Sequence, residues 1–219
     1  MRTSTISCLL LCLFVSSSVA KLPTYNIDPK SLTTGGLSSG GFMAVQVHFA
    51  FSKTIKGAAI TAGGPFWCAQ GNTSTALTTC MSSPLMLNVD TLNTKAKALA
   101  KSKDIDDLSN LSGSNVYLFS GTKDDVVKTD VMKGLQKQYQ GFGATLKTVY
   151  DVPAEHAYIT TNYGNKCAFK GTPYINNCNY NVRYSFIFLI KLGEGKDSFE
   201  GLVLNHNESG ERIEPKTRG

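Results

Sequence analysis

The stretch GGLSSGGFMAVQVHF, residues 35–49, contains Gly36-Leu37-Ser38-Ser39-Gly40, a G-x-S-x-G pentapeptide that runs straight into an amphipathic, helix-like segment. Glycines two residues to either side of a serine let the backbone turn sharply from strand to helix and leave the serine oxygen exposed. SLTT (31–34) is the candidate strand before the turn. After it, the apolar residues Met43, Val47, Ala50 and Phe51 recur at helical spacing. Gly36 and Gly40 hold the required positions, and Gly35 and Gly41 add slack. An ordinary Gly/Ser loop has the same letters, so the rest of the chain has to supply the partners of a nucleophile.

Working outward from this turn, strand and helix patterns alternate. IKGAAITAGG (55–64) reads as a buried strand closed by glycines, and VDTLNTKAKALAKS (89–102) as a helix. NVYLFSG (115–121) is a strand with a glycine stop, DVVKTDVMKGLQKQYQ (125–140) is helical, and ATLKTVYDV (144–152) is a strand. The alternation predicts an α/β fold with a mainly parallel sheet covered on both faces. No internal repeat or low-complexity tract interrupts it. With 219 residues and 42% apolar composition, the chain suits one medium domain with a sizeable core.

A serine hydroxyl is a weak nucleophile until a base removes its proton. The chain has three histidines. His48 lies ten residues past Ser38, roughly 15 Å along the following helix, which is too far, and it reads as a helix-face residue. His206 sits in a polar tail. His156, in DVPAEHAY just after a predicted strand, is the candidate base. A buried carboxylate must orient its ring, and FSGTKDDVV offers Asp124 and Asp125 just past the end of a strand, where sites in open α/β sheets gather. Adjacent residues point in different directions, so one serves. The G-x-x-D-x-x-V spacing selects Asp124, with Val127 returning to the core and Asp125 left to N-cap the next helix. Asp151 and Glu155 are the runners-up. The order Ser38, Asp124, His156 is that of an α/β-hydrolase, and the backbone N–H of Ser39 at the helix start points to a developing oxyanion.

The N-terminus, MRTSTISCLLLCLFVSSSVA, carries one positive charge, an apolar run from Ile6 to Val15 and a small-x-small site at Ser18-Val19-Ala20. It reads as a cleaved signal peptide over 1–20, too short to span a bilayer, so a secreted, extracellular protein is expected, with no membrane contact after cleavage. The net charge of +6, or +5 without Arg2, is scattered rather than blocked, which argues against nucleic acid. Cys68, Cys80, Cys167 and Cys178 remain after the leader, an even count in an oxidising compartment. Three pairings are possible, and the short separations favour the local loops Cys68–Cys80 and Cys167–Cys178. A zinc site lacks any C-x-x-C pair. Asn72, Asn110 and Asn207 head N-glycosylation sequons.

The motifs GLSSGGFMAVQVHFAFS, AGGPFWCA, VYLFSGTKDDVV, AEHAY and PYINNCNY resemble the extracellular poly(3-hydroxybutyrate) depolymerases of the single-domain fungal type and their broader esterase family, over roughly residues 25–181. The resemblance implies a secreted serine esterase of polyester or short oligoester chains that needs no metal or cofactor. Its triad falls on Ser38, Asp124 and His156, its oxyanion N–H on Ser39, and its two short disulfide loops on Cys68–Cys80 and Cys167–Cys178. Trp67 in GGPFWCA is a possible substrate contact, with a core tryptophan beside a disulfide as the plainer reading. The family fold is a circularly permuted α/β-hydrolase, in which strands that normally precede the nucleophile follow the histidine. Here the resemblance stops after NNCNYN. The expectation is therefore a leader over 1–20, the N-terminal part of a catalytic domain over 21–181 with the C-terminal strands missing, and a poorly ordered, non-family tail over 182–219. The oligomeric expectation is a monomer. The alternatives are a feruloyl- or acetyl-xylan-type carbohydrate esterase, or a catalytically dead secreted fragment that binds polymer.

Overall fold

Strands β1 (Thr33–Leu37), β2 (Gly57–Thr61), β3 (Asn115–Phe119) and β4 (Thr145–Val149) lie side by side in chain order, every neighbouring pair parallel. This is a computed structural model that describes residues 31–180 and Val182. The leader, residues 21–30, His206, Asn207 and the rest of the tail beyond Val182 lie outside the described residues. Helices α1 (Ser39–Ala50), α2 (Thr73–Leu77), α3 (Val89–Ser102) and α4 (Thr129–Gly141) occupy the connections.

Both faces of the sheet are covered, but by different structure. Parallel strands are joined by right-handed crossovers, so strands added in one direction put their connecting helices on the same face. Val45 and Phe49 of α1, Ala96 of α3, and Met132, Leu135 and Tyr139 of α4 accordingly share one cluster with Ala58, Ile60, Val116 and Leu118 of the sheet. The alternate residues Ala59, Tyr117 and Phe119 face the other way, into Val152, Ala154, Ile159 and Val182. That period of two is the strand's own geometry. The second face is thus covered by the chain after β4, which includes a small sheet of β5 (Tyr158–Thr160), β6 (Asn165–Lys166) and β7 (Ile175–Asn177), ordered β5-β7-β6. Val182 is fully buried there, so close packing reaches the first residue of the segment expected to be a loose tail.

The elements differ from their expected bounds in instructive ways. β1 starts two residues late but runs on through Gly35-Gly36 to Leu37, ending one residue before Ser38. In α1 the buried stripe is Gly41, Ala44, Val45, His48 and Phe49, while Met43 and Phe51 are exposed at 62% and 58%. Apolar residues stand on both sides of this helix, so spacing does not choose its face. The choice falls to packing, because Gly41 lies close against the backbone, where a Cβ would stand only 3.0 and 3.1 Å from the Thr61 and Gly36 carbonyl oxygens. Phe49 then stacks on Phe66 at 4.7 Å and meets Phe142 edge-on at 5.6 Å. Phe49→Ala would cost about 3–5 kcal/mol by the cavity it leaves. Helix α4 begins at Thr129 rather than 125, because the Asp124 carboxylate takes the Val126 and Val127 N–H groups at 3.0 and 2.9 Å in a turn.

Candidate active site

Ser38 stands at the junction of β1 and α1 with φ 56° and ψ −124°. A non-glycine residue in that region carries strain on the order of 1–3 kcal/mol. The surroundings hold it there. Its N–H donates to the Thr61 carbonyl at 3.0 Å, and its own carbonyl accepts from Phe42 N–H at 2.9 Å. The turn is tight enough that a Cβ at Gly36 would collide with the Gly40 backbone. At Gly40 itself a Cβ would meet nothing within 4 Å, so the close-packed pair at this turn is Gly36 and Gly41. Ser39 is the first helical residue and is exposed, with its N–H at the helix start, where no intrahelical acceptor exists.

Asp124 and His156 meet beyond the same end of the sheet. His156 Nδ1 lies 2.9 Å from Asp124 Oδ2, and both residues are buried. Asp124 Oδ1 is the oxygen that accepts from Val126 and Val127, so each carboxylate oxygen has its own task. The approach depends on the loop after β3 lying against the loop after β4. Ser120, Thr122 and Lys123 N–H groups donate to the carbonyls of Val149, Val152 and Ala154 at 3.1, 2.8 and 3.1 Å. Gly121 is pressed so close to the Ala154 carbonyl that any Cβ would collide with it. Val127 is fully buried, as its spacing predicted.

The other carboxylates fall away from this pair. Asp125 does not cap α4, whose cap position is Lys128. It pairs instead with Lys170 at 2.5 and 2.6 Å, which holds its carboxyl below the usual range. Asp151 is exposed, and Glu155 accepts from the His156 backbone N–H at 3.2 Å. His48 lies on the buried face of α1, with Nδ1 2.9 Å from the Tyr139 hydroxyl.

Ser38 and Ser39 open onto a cleft of about 490 Å³ lined almost entirely by apolar groups, among them Phe42, Met43, Trp67 and Met81. Both cysteines of the Cys68–Cys80 disulfide line it, and Cys167–Cys178 forms the second bridge. Trp67 is half-buried, lining the cleft beside the disulfide and also packing against the main core cluster. His156 Nε2 makes no hydrogen bond to a described residue, Ser38 Oγ included. Asn72 caps α2 through its side-chain oxygen, and Asn110 sits in the short turn Leu108–Leu111. Among the described residues no group of three or more His, Cys, Asp or Glu side chains is placed to hold a metal, and no helix is long and apolar enough to cross a membrane. Gln46, which lines the cleft and accepts the Trp67 N–H, was missed in the sequence. The available signal was a polar side chain inside an apolar helical run.

A parallel α/β sheet with a strained serine at a strand–helix turn and a histidine–aspartate pair beyond the same end of the strands has the architecture of an α/β-hydrolase. No protein-family model matches the chain. Individual relatives do. The poly(3-hydroxybutyrate) depolymerase of Delftia acidovorans is 48% identical over 168 residues, covering 75% of this chain and 34% of that protein. The polyhydroxybutyrate depolymerase of Talaromyces funiculosus is 31% identical over 199 residues, covering 86% and 57%. Among solved structures, a PHB depolymerase complexed with an R3HB trimer matches with a TM-score of 0.70 at 29% identity, covering 82% of this chain and 55% of that one. The PHB depolymerase of Penicillium funiculosum matches with a TM-score of 0.67 at 30% identity, over 77% and 54%. By sequence and by fold together, this chain belongs with the poly(3-hydroxybutyrate) depolymerases, as a homologue of part of their length. It spans about a third of the bacterial relative and just over half of the fungal one.

Proposed function

We propose that this chain carries the nucleophile, base and acid of a secreted serine esterase acting on polyester or short oligoester bonds. The observation that carries the reading is the 2.9 Å His156–Asp124 contact beyond the end of the sheet that also bears the strained Ser38. Ser38 Oγ attacks the ester carbonyl while His156 Nε2 takes its proton, and the acyl-enzyme forms as the alcohol leaves with that proton. Water then attacks through the same base, and Ser38 is released with the free acid. Asp124 keeps the Nδ1 proton in place and stabilises the charged ring. The Ser39 N–H donates to the oxyanion. The absence of a Ser38–His156 hydrogen bond is compatible with these roles, since catalytic contacts tighten when substrate binds. The apolar cleft favours a neutral aliphatic ester over a sugar ester, and the relatives act on polyhydroxybutyrate by name. Two disulfides support an oxidising, extracellular setting.

A fluorophosphonate probe tests this directly, with tributyrin hydrolysis measured alongside. The probe should label Ser38, and Ser38→Ala should lose both labelling and hydrolysis while Ser39→Ala keeps most of each. Hydrolysis that survives in Ser38→Ala would remove the serine from the mechanism. A folded chain that binds hydroxybutyrate oligomers yet takes no label would be a binding protein instead.

A further inference from the structure

Trp67 is the chain's only tryptophan, and it is held in an unusual way. Its φ of 62° lies in the left-handed region that bulky side chains rarely adopt. No strand or helix ladder satisfies its N–H, which donates instead to Gln46 Oε1 at 3.2 Å, while Gln46 Nε2 donates to the Phe42 carbonyl at 3.2 Å. The next residue, Cys68, is tied to Cys80. Lys95 reaches over from α3 and places its ammonium 4.9 Å from the centre of the indole without itself lining the cleft. An unfavourable backbone conformation that several independent contacts enforce marks a place where the side chain's position matters.

We propose that Trp67 is a specificity-determining wall of the cleft beside Ser38, packing against the alkyl part of a short aliphatic ester, and that Gln46 and Lys95 are positioning residues for it. The inference rests on the ester-hydrolase reading for its ligand class. The chemistry of the cleft supports that class, because no charged side chain lines it among the described residues and its polar groups are few. A neutral, weakly polar chain can be desolvated there, whereas a charged or strongly hydrated one would lose its water without replacement. Gln46 sets the backbone and thereby the direction from which the indole enters. Lys95 holds the ring from outside by a cation–π contact, worth a factor of about two to five in an equilibrium at an exposed site.

Because Trp67 is the only tryptophan, its emission reports on this wall alone. The test uses the full chain with Ser38→Ala, so that ligand is bound but not turned over, titrated with the trimer of (R)-3-hydroxybutyrate and with tetraglycine as a polar control. The trimer should shift the emission saturably and tetraglycine should not. Lys95→Met should weaken trimer binding about two- to fivefold, and Lys95→Arg, which keeps the cation, should restore it. Gln46→Leu should weaken binding further, while Gln46→Glu, which keeps an acceptor for the Trp67 N–H, should recover part of the loss. Lys95 is exposed, so its variants leave the core intact. An emission unmoved by the trimer, or Lys95→Met and Gln46→Leu chains that bind as the parent does, would overturn the proposal. Tributyrin hydrolysis by the chain with Ser38 intact judges the ester-hydrolase reading separately. Turnover with a silent Trp67 removes this wall alone, and saturable binding without turnover keeps the wall and removes the catalysis.

Discussion

The ring of His156 keeps a tenth of its side-chain surface exposed and meets a carboxylate, whereas His48 is wholly buried against a tyrosine hydroxyl. The consequences differ. At His156 the partner is a carboxyl oxygen, so Asp124→Asn keeps the shape but presents an amide N–H toward Nδ1 and favours the wrong tautomer. Ester hydrolysis should fall by roughly 10³–10⁴, with the circular dichroism spectrum unchanged. A loss of less than tenfold would mean that another carboxylate orients the ring. At His48, burial and then the charge of Lys56 lower the pKa from 6.5 to about 4. Between those values the unfolded chain takes up a proton that the folded chain refuses, so folding weakens as pH falls from 6.5 to 4 and this contribution levels off below. The full difference is about 3 kcal/mol. Urea midpoints measured between pH 7 and 4 should therefore drop, and His48→Gln should flatten part of that slope. An identical slope in the variant would assign the acid sensitivity to other groups.

At the scale of elements, the cleft wall between β2 and α3 has little regular structure of its own. Residues 73–86 form one short helix and two tight turns, and Leu77, Leu85 and Met86 are exposed at 60%, 96% and 81%. Few buried apolar contacts hold this wall, so the Cys68–Cys80 bridge at its base has a large share of the work. Replacing both cysteines by serine should cost about 2–4 kcal/mol of stability. Because Trp67 adjoins Cys68, its emission should also move toward that of a solvent-exposed indole in the native state. A variant with parental stability and emission would show that packing alone holds the wall. The loops after β3 and β4 behave differently, since three backbone hydrogen bonds and the Gly121–Ala154 approach lock them together without a covalent tie.

For the molecule as a whole, protection is expected to follow the order of the strands. Every residue of β2 is buried and four of five are in β3, whereas β1 and β4, the edges of the described sheet, are half-buried or exposed. Amide exchange should be slowest in β2 and β3, faster in β4, and fastest in the small β5-β7-β6 sheet with its two- and three-residue strands. Equal protection in β1 and β2 would mean that the outer edge of β1 is covered. Ser38 thus hangs between a well-protected strand, through its hydrogen bond to Thr61, and a more open one on which it is carried.

What the sequence determined by itself was local or ordered along the chain. The strand–serine–helix turn and the alternation of strands and helices were legible because a turn needs its glycines and a strand its period of two within a few residues. Contacts between distant segments were not legible. Which face of α1 is buried, the start of α4 at Thr129, the fit of Gly121 against Ala154 and the hold of Gln46 and Lys95 on Trp67 were decided only in the tertiary structure. Each joins parts of the chain whose separation in sequence says nothing about distance, and each is settled by close packing and by the need of buried polar groups for partners.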